Sequence, residues 1–468
     1  MKRSDSSRVY GAAVLLGGSL LLVGCNDEGS LPRNSRHWVA LSPEIQSKMS
    51  EAGVSRHSPM LIRAFKKEGE LEVWKADNSG EYKHVKTFPV CRWSGQLGPK
   101  KVEGDRQVPE GFYAITPQML NPNSSFYLSF NIGYPNSYDR SLGRNGSLIM
   151  VHGACSSRGC FSMTDAQIAD IYALARESFS GGQKAIQMQS FPFRFTPENL
   201  AKYRADEHLP FWKNLKEGSD HFEVTKRAPE VAVCGKKYVF NALGKEGARF
   251  EASAACPPVT RDESLVAAVS SKSRADEKRV AELVNGGAKA LKRIYKDGDQ
   301  HPSFKNTVYA YAGGTENVSR AANVPQTASR IADVSQPDAL AFGHVDVPAE
   351  SARGLTRQQL FAKAERVRAD QDAAVNPPAS AVATAPVPAA VSTTATRAAA
   401  VAPAARAAQP TQPVTATALV AEKPASGDKP AFYSRWLGSL SGLTASASEA
   451  AEQPAEPAAG LPTPPQRR

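Results

Sequence analysis

Between residues 59 and 152 the chain alternates short apolar runs with Gly, Pro and Asn breaks. Met60–Phe65, Leu71–Ala76 and Tyr82–Val90 have the β-prone composition of strands, split by Gly69 and by the turn Asn78-Ser79-Gly80. Gly111–Thr116, Ser125–Asn131 and Ser147–His152 continue the series, and this spacing predicts a compact, mostly-β sheet or barrel. One clear helix interrupts it. Thr164 and Gln167 fit a capping box, after which Ile168, Ile171, Tyr172, Ala175 and Phe179 recur at helical spacing. Pro197–Arg204 and Phe211–Gly218 read as further short helices, Val231–Phe240 as a closing strand, and residues 37–57 as a small helical lead-in.

Past Lys245 the texture changes. Arg261–Tyr295 is charged and predicted helical, and so is Leu355–Ala369, where Thr356 and Gln359 form a second capping box. The stretch between them is polar and irregular. From about Val375 the chain is dominated by Ala, Pro, Thr, Ser and Val, a composition that buries too little surface to offset its ordering entropy. That stretch reads as a disordered tail broken by one aromatic segment, Phe432–Leu443. No internal repeat is found.

The N-terminus carries a different pattern. Lys2, Arg3 and Arg8 precede an apolar run from Val9 to Val23, too short for a comfortable membrane span. The run ends Leu22-Val23-Gly24-Cys25, which resembles the bacterial lipoprotein signal, cut before a Cys that then receives a diacylglycerol. An ordinary signal peptide containing a Cys is the alternative. Lipidation of Cys25 would hold the protein on a membrane by acyl chains. The expected location is the periplasm of a Gram-negative bacterium, on either the inner or the outer membrane.

Such a compartment is oxidising. Of six cysteines, Cys91, Cys155, Cys160, Cys234 and Cys256 remain after Cys25 is set aside, an odd number that predicts one free thiol. Charge adds less. Lys+Arg 57 against Asp+Glu 46 gives a net +11, suited to anionic polymers or anionic lipid. No Walker loop, dinucleotide fingerprint, zinc ribbon or RNA-binding motif accompanies it, so nucleic acid is not an expected partner.

The chemistry concentrates in Ile149-Met150-Val151-His152-Gly153-Ala154-Cys155-Ser156-Ser157-Arg158-Gly159-Cys160-Phe161-Ser162-Met163-Thr164-Asp165. A strand ends at His152, a glycine-containing loop follows, and Cys160 lies just ahead of the Thr164 helix cap. A thiol beside a helix N-terminus and an imidazole is expected to have its pKa lowered towards the nucleophilic thiolate. Gly159 would allow close backbone approach, and its N–H with that of Cys160 would form an oxyanion pocket. Ser157 is a candidate for orienting the loop. A Cys nucleophile, a His base and backbone donors suit acyl transfer through a thioester. Three other readings stay open: zinc held by His152, Cys155 and Cys160, a Cys155–Cys160 disulfide, or a core histidine beside a buried thiol.

The same stretch resembles the active-site motif of the L,D-transpeptidase catalytic domain (YkuD-type), in its YafK-like branch. The likeness continues upstream through Phe88–Lys100, Glu103–Tyr113, Asn121–Ser125 and Gly133–Arg140, and covers roughly residues 58 to 242. It implies a YkuD-like β-rich catalytic domain acting on peptidoglycan stem peptides, with the motif histidine at His152 and the nucleophile at Cys160. The commoner pattern is Ser/Thr-His-Gly-Cys, whereas Ser157-Arg158-Gly159-Cys160 puts Arg in place of that His.

The expected fold is mostly β with short helices (α+β). Residues 1–24 would be a lipoprotein signal peptide, 25–57 a tether and lead-in, 58–245 the catalytic domain, 246–374 a partly helical extension and 375–468 the disordered tail. The expected function is a peptidoglycan-modifying L,D-transpeptidase working through a Cys160 thioester, with no metal and no cofactor. Envelope proteins could serve as acceptor or leaving group. Lys100, Lys101, Arg106 and Arg140 are candidates for meeting stem-peptide carboxylates, and Trp93, Tyr134 and Tyr138 for lining the groove. Two alternatives remain: a hydrolytic relative that releases proteins or residues from peptidoglycan, and a non-catalytic envelope-binding lipoprotein.

Overall fold

The computed structural model describes residues 35–304 and 337–375. The expected signal segment, the expected lipidation site Cys25, the expected tail from 376 and the aromatic segment Phe432–Leu443 lie outside them.

Every residue of β1 (Met60–Phe65) is buried. This strand is central to a five-stranded sheet with β2 (Glu70–Ala76), β3 (Tyr82–Pro89), β4 (Gly111–Ile115) and β9 (Ile186–Phe191), in the order β3-β2-β1-β9-β4. β1 runs parallel to β9 and antiparallel to β2. Both its faces are covered, which explains a continuous apolar run in place of alternation. Ile62 and Ala64 join the main core with Ile168, Ile171 and Leu174 of α3 (Asp165–Ser180), while Leu61 packs with Phe222 of α5 (Leu209–Thr225). Arg63 is inside because α5 supplies its partners: Ser219 at 2.9 Å and Glu223 at 2.5 Å, with Gln189 of β9 at 3.1 Å.

A second sheet holds β5 (Leu120–Asn121), β6 (Ser129–Asn131), β7 (Met150–His152) and β8 (Phe161–Ser162) in that order, with β7 and β8 parallel. α3 follows β8 and touches β1, β6 and β7, so the main core lies where the two sheets meet this helix. The capping box at Thr164 and Gln167 is present as expected, at 2.9 and 3.3 Å. So is the one at Thr356 and Gln359, which starts α8 (Arg357–Val375). The lead-in helix is α1 (Pro43–Glu51), and α4 (Pro197–Lys202) is the short helix expected there.

The differences from the sequence reading have local causes. Ser125–Asn131 is strand only at its end, since Ser124 Oγ caps the Phe126 N–H and Tyr127 turns with φ +71°. Leu148, at φ +53°, delays the next strand to Met150. Val231–Phe240 is a hairpin of β10 (Val231–Cys234) and β11 (Lys237–Phe240), because Gly235 and Lys236 both adopt positive φ, as a tight two-residue turn requires. Arg261–Tyr295 is helical only over α6 (Glu263–Asn285). Its end is β14 (Leu291–Tyr295), paired with β15 (His344–Pro348), whose ladder partner lies too far downstream for periodicity to reveal. The remaining helices are α2 (Ser137–Ser141) and α7 (Pro337–Phe342). β12 (Ala242–Gly244) and β13 (Val259–Arg261) complete the strands, and a Cys234–Cys256 bond ties this region. The fold is mostly β with short helices, as expected.

One buried ion pair joins the end of β1 to the start of β4. Lys66 Nζ, following β1, bonds Glu110 Oε1 at 2.9 Å and the carbonyls of Gly98 and Val108 at 2.9 and 3.1 Å. Glu110 also accepts from Gly98 N–H at 2.7 Å and Trp212 Nε1 at 2.8 Å. Neither side chain is exposed to solvent, and burial draws the Lys66 ammonium below its ordinary value against the opposing pull of Glu110. Glu110→Ala strands that ammonium and is expected to cost roughly 3–5 kcal/mol in urea unfolding. Lys66→Met/Glu110→Leu is expected to cost less than Glu110→Ala alone.

Candidate active site

β7 and β8 pair in register, Val151 opposite Phe161 and His152 opposite Ser162. Carried one residue back, the register sets Cys160 opposite Met150, and the Met150 N–H donates to Cys160 Sγ at 3.4 Å. Alternate residues of a strand share a face. Val151 and Phe161 therefore point into the core, and His152 and Cys160 share the opposite side.

The His152 ring is held by its own neighbour. Nδ1 lies 2.6 Å from the Gly153 carbonyl oxygen. A carbonyl can only accept, so Nδ1 carries the proton and Nε2 keeps its lone pair. Gly153 is itself pinned, its N–H donating to the carbonyls of Phe126 and Leu128 at 3.0 and 3.2 Å. A Cβ there would meet Asp165 Oδ1 at 2.6 Å and the Phe126 oxygen at 2.9 Å, so close approach excludes any other residue. Asp165, the first residue of α3, accepts from the Ala154 N–H at 2.9 Å. The half-exposed Phe126 ring covers the imidazole at a centroid distance of 4.7 Å. Burial lowers the His152 pKa to about 4, outweighing the upward pull of the Gly153 carbonyl.

Cys160 is the free cysteine among the described residues. Although its side chain keeps some exposure, the sulfur is surrounded closely enough that burial pushes the thiol up, against the Met150 N–H and the Lys100 charge. This direction is opposite to the lowering expected from sequence. β8 stands between Cys160 and the helix, whose N-cap is Thr164, and the neighbouring imidazole is neutral. The resting pair is thiol and imidazole.

The loop between them is stapled at Cys155, which is bonded to Cys91 just beyond β3, with Cα atoms 5.4 Å apart. That bond removes Cys155 from a zinc set and from a Cys155–Cys160 disulfide. Ser157 lies within the loop: its Oγ donates to the Cys160 carbonyl at 2.7 Å and meets Ser94 Oγ at 3.0 Å. The same oxygen accepts from the N–H groups of Gly159 and Cys160 at 3.3 and 3.2 Å. The two expected oxyanion donors thus point inward, and a substrate oxygen would have to replace Ser157 Oγ. Gly159 is required for its φ of +124°, not for close approach, since the nearest atom to a Cβ there is 3.8 Å away.

Other candidates sort by their partners. Lys100 is buried against Asp105 at 2.5 Å, Arg106 is paired with Asp297 at 2.6 Å, and Arg140 donates to the Pro135 carbonyl. Trp93, Tyr134 and Tyr138 are core residues. Exposed apolar groups nearest the pair are Phe126 and Leu148, whose carbonyl lies 3.8 Å from Cys160 Sγ. Gly153, Asp165, Phe126 and Asp297 were not singled out from sequence. Position next to the motif histidine, and at the first turn of a capped helix, marked the first two.

Residues 61–182 match the family of the L,D-transpeptidase catalytic domain, YkuD. Over 221 residues the chain is 34% identical to "Putative L,D-transpeptidase YafK" of Escherichia coli K12, and to its namesake in strain O157:H7. That span is 47% of this chain and 87% of the relative. Among solved structures, the chain aligns with the helical cell shape determining protein Pgp2 from Campylobacter jejuni at 18% identity, covering 53% of this chain and 80% of that one, with a TM-score of 0.24. It also aligns with Bd1075 of Bdellovibrio bacteriovorus at 17% identity, covering 37% and 76%, with a TM-score of 0.23.

A neutral resting pair has a spectroscopic consequence. The ultraviolet difference between the protein and Cys160→Ser is expected to show no thiolate absorbance at neutral pH, gaining it only above the ordinary thiol value of 9.0. A thiolate signal at neutral pH would contradict the assigned protonation. Because His152 titrates near 4 in the folded chain and near 6.5 ordinarily, its contribution to stability is complete above 6.5 and lost as pH falls across that interval.

Proposed function

The chain belongs to the L,D-transpeptidase family, and from that premise we propose that it modifies peptidoglycan through a Cys160 thioester formed on stem peptides. One observation carries this reading. The free thiol and an imidazole with an unprotonated Nε2 share one face of adjacent parallel strands.

In the proposed reaction, Cys160 Sγ attacks the carbonyl carbon at the L-centre of a stem-peptide diamino acid as His152 Nε2 takes the thiol proton. The carbonyl pair moves onto oxygen, and Gly159 and Cys160 N–H groups are the proposed donors once they exchange Ser157 Oγ for that oxygen. Collapse breaks the C–N bond, and the imidazolium returns its proton to the departing amine. The thioester then passes to an acceptor amine, whose proton His152 removes, and the thiol is restored. Water in place of the amine would release the acyl group. A buried, neutral pair suits this order, since charge appears only as substrate closes the site.

The proposed setting is the periplasmic face of a membrane, with the chain held by acyl groups on Cys25. Cys25→Ser is expected to move the protein from the membrane pellet to the soluble periplasmic fraction. Retention in the pellet would exclude that anchor.

The activity is tested by incubating the full chain with purified muropeptides and identifying products by mass spectrometry. A 3–3 cross-link with loss of D-Ala is the expected product. Cys160→Ser is expected to abolish it, and His152→Ala to slow it about a hundredfold or more, the scale of lost general-base catalysis. Product from Cys160→Ser would overturn the reading, and a trimmed tripeptide alone would replace transfer by hydrolysis.

A further inference from the structure

We propose that Asp297 is a positioning residue for the Cys160 loop, acting through Arg106, so that the segment after β14 is a working part of the site. This rests on the reading of Cys160 as nucleophile. Asp297 lies far beyond the residues 61–182 that match the family.

The segment is sewn to the strip leading into the Cys91 staple. Trp93 and Asp299 exchange backbone hydrogen bonds at 3.0 and 3.1 Å, Gly298 N–H donates to the Gly95 carbonyl at 2.7 Å, and His301 N–H to the Val90 carbonyl at 2.9 Å. Gly298 is obligatory there, because at φ +71° a Cβ would collide with the Trp93 carbonyl. His344 of β15 holds Asp299 from the other side at 2.9 Å. The backbone bonds place the Asp297 side chain, almost fully buried, among donors from three residues. Arg106 reaches Oδ2 through Nε and Nη2 at 3.1 and 2.6 Å, Arg92 Nη2 reaches it at 3.3 Å, and Gly95 N–H meets Oδ1 at 3.2 Å.

Arg106 faces the loop. Its Nη2 also donates to the Ser157 carbonyl at 3.5 Å, and the Arg106–Gln107 backbone lies 3.8 Å from where a Gly159 Cβ would stand. Ser157 in turn binds both the N–H and the carbonyl of Cys160. The two guanidiniums share one carboxylate and differ in what else holds them. Arg92 is wholly buried and donates to the Trp93 and Asp297 carbonyls, whereas Arg106 is partly exposed. Without the carboxylate, like charges repel and Arg106 is the one free to swing into water, removing its contact with the Ser157 carbonyl.

The test is the rate at which iodoacetamide alkylates Cys160 in the full-length chain, measured beside the melting temperature. Asp297→Asn and Arg106→Gln are each expected to slow alkylation at least about fivefold, within the range that a small misplacement of a reacting group produces. Because they act in one chain of contacts, the double variant is expected to be no slower than the slower single one. Asp299→Asn perturbs the same segment without touching Arg106, and its alkylation is expected to stay within about twofold of the parent. Arg106→Gln, at a partly exposed position, carries the test if Asp297→Asn fails to fold. Parent-like rates in both singles, multiplicative slowing in the double, or equal slowing by Asp299→Asn would each overturn the proposal. A parent protein that iodoacetamide does not label at Cys160 would overturn the nucleophile assignment, and the proposal with it.

Discussion

A carbonyl oxygen has no proton to give, and that fact organises the site. Because Gly153 presents its oxygen to His152 Nδ1 at 2.6 Å, the imidazole is fixed in the tautomer whose Nε2 is a base. Everything around Gly153 serves to keep that oxygen in place. Its N–H is bound to the segment before β6, its α-carbon has no room for a side chain, and the helix α3 reaches back through Asp165 to the next residue. The capping box that starts α3 thus does more than begin a helix. Asp165, the residue after its N-cap, accepts from the Ala154 N–H in the loop on which the histidine's partner sits.

The second half of the site is held from farther away. The Cys91–Cys155 bond ties the loop to the end of β3, Ser94 meets Ser157, and the segment after β14 closes over the same strip. Leu340 of α7 packs against the disulfide itself. Residues past 245 therefore touch the strip and the disulfide beside the Cys160 loop. Residues that read as an appendage in the linear chain are a wall of the fold in space.

Burial also decides the protonation of the pair. A surface thiol near an imidazole and a helix terminus would favour charge separation, but the helix here begins beyond β8 and the imidazole is covered by Phe126. Desolvation dominates for both groups, lowering the histidine and raising the cysteine. The low dielectric that keeps them neutral at rest also strengthens any charge–dipole interaction formed once substrate excludes water. A neutral pair that ionises in the course of reaction is the consistent reading of this environment.

Local pattern determined much of this protein. The strands Met60–Phe65 and Gly111–Ile115, the two capping boxes and the presence of one free thiol follow from β-prone composition, cap chemistry and cysteine parity. The hairpin at Gly235-Lys236, the β14–β15 pair and the disulfide partners did not, because each depends on φ values or on residues distant in the chain. The direction of the Gly159 and Cys160 N–H groups, the carboxylate of Asp297 behind Arg106 and the protonation of Cys160 were decided only when the chain closed on itself. Desolvation and long-range hydrogen bonds are properties of surroundings, and a linear sequence does not state what surrounds a residue.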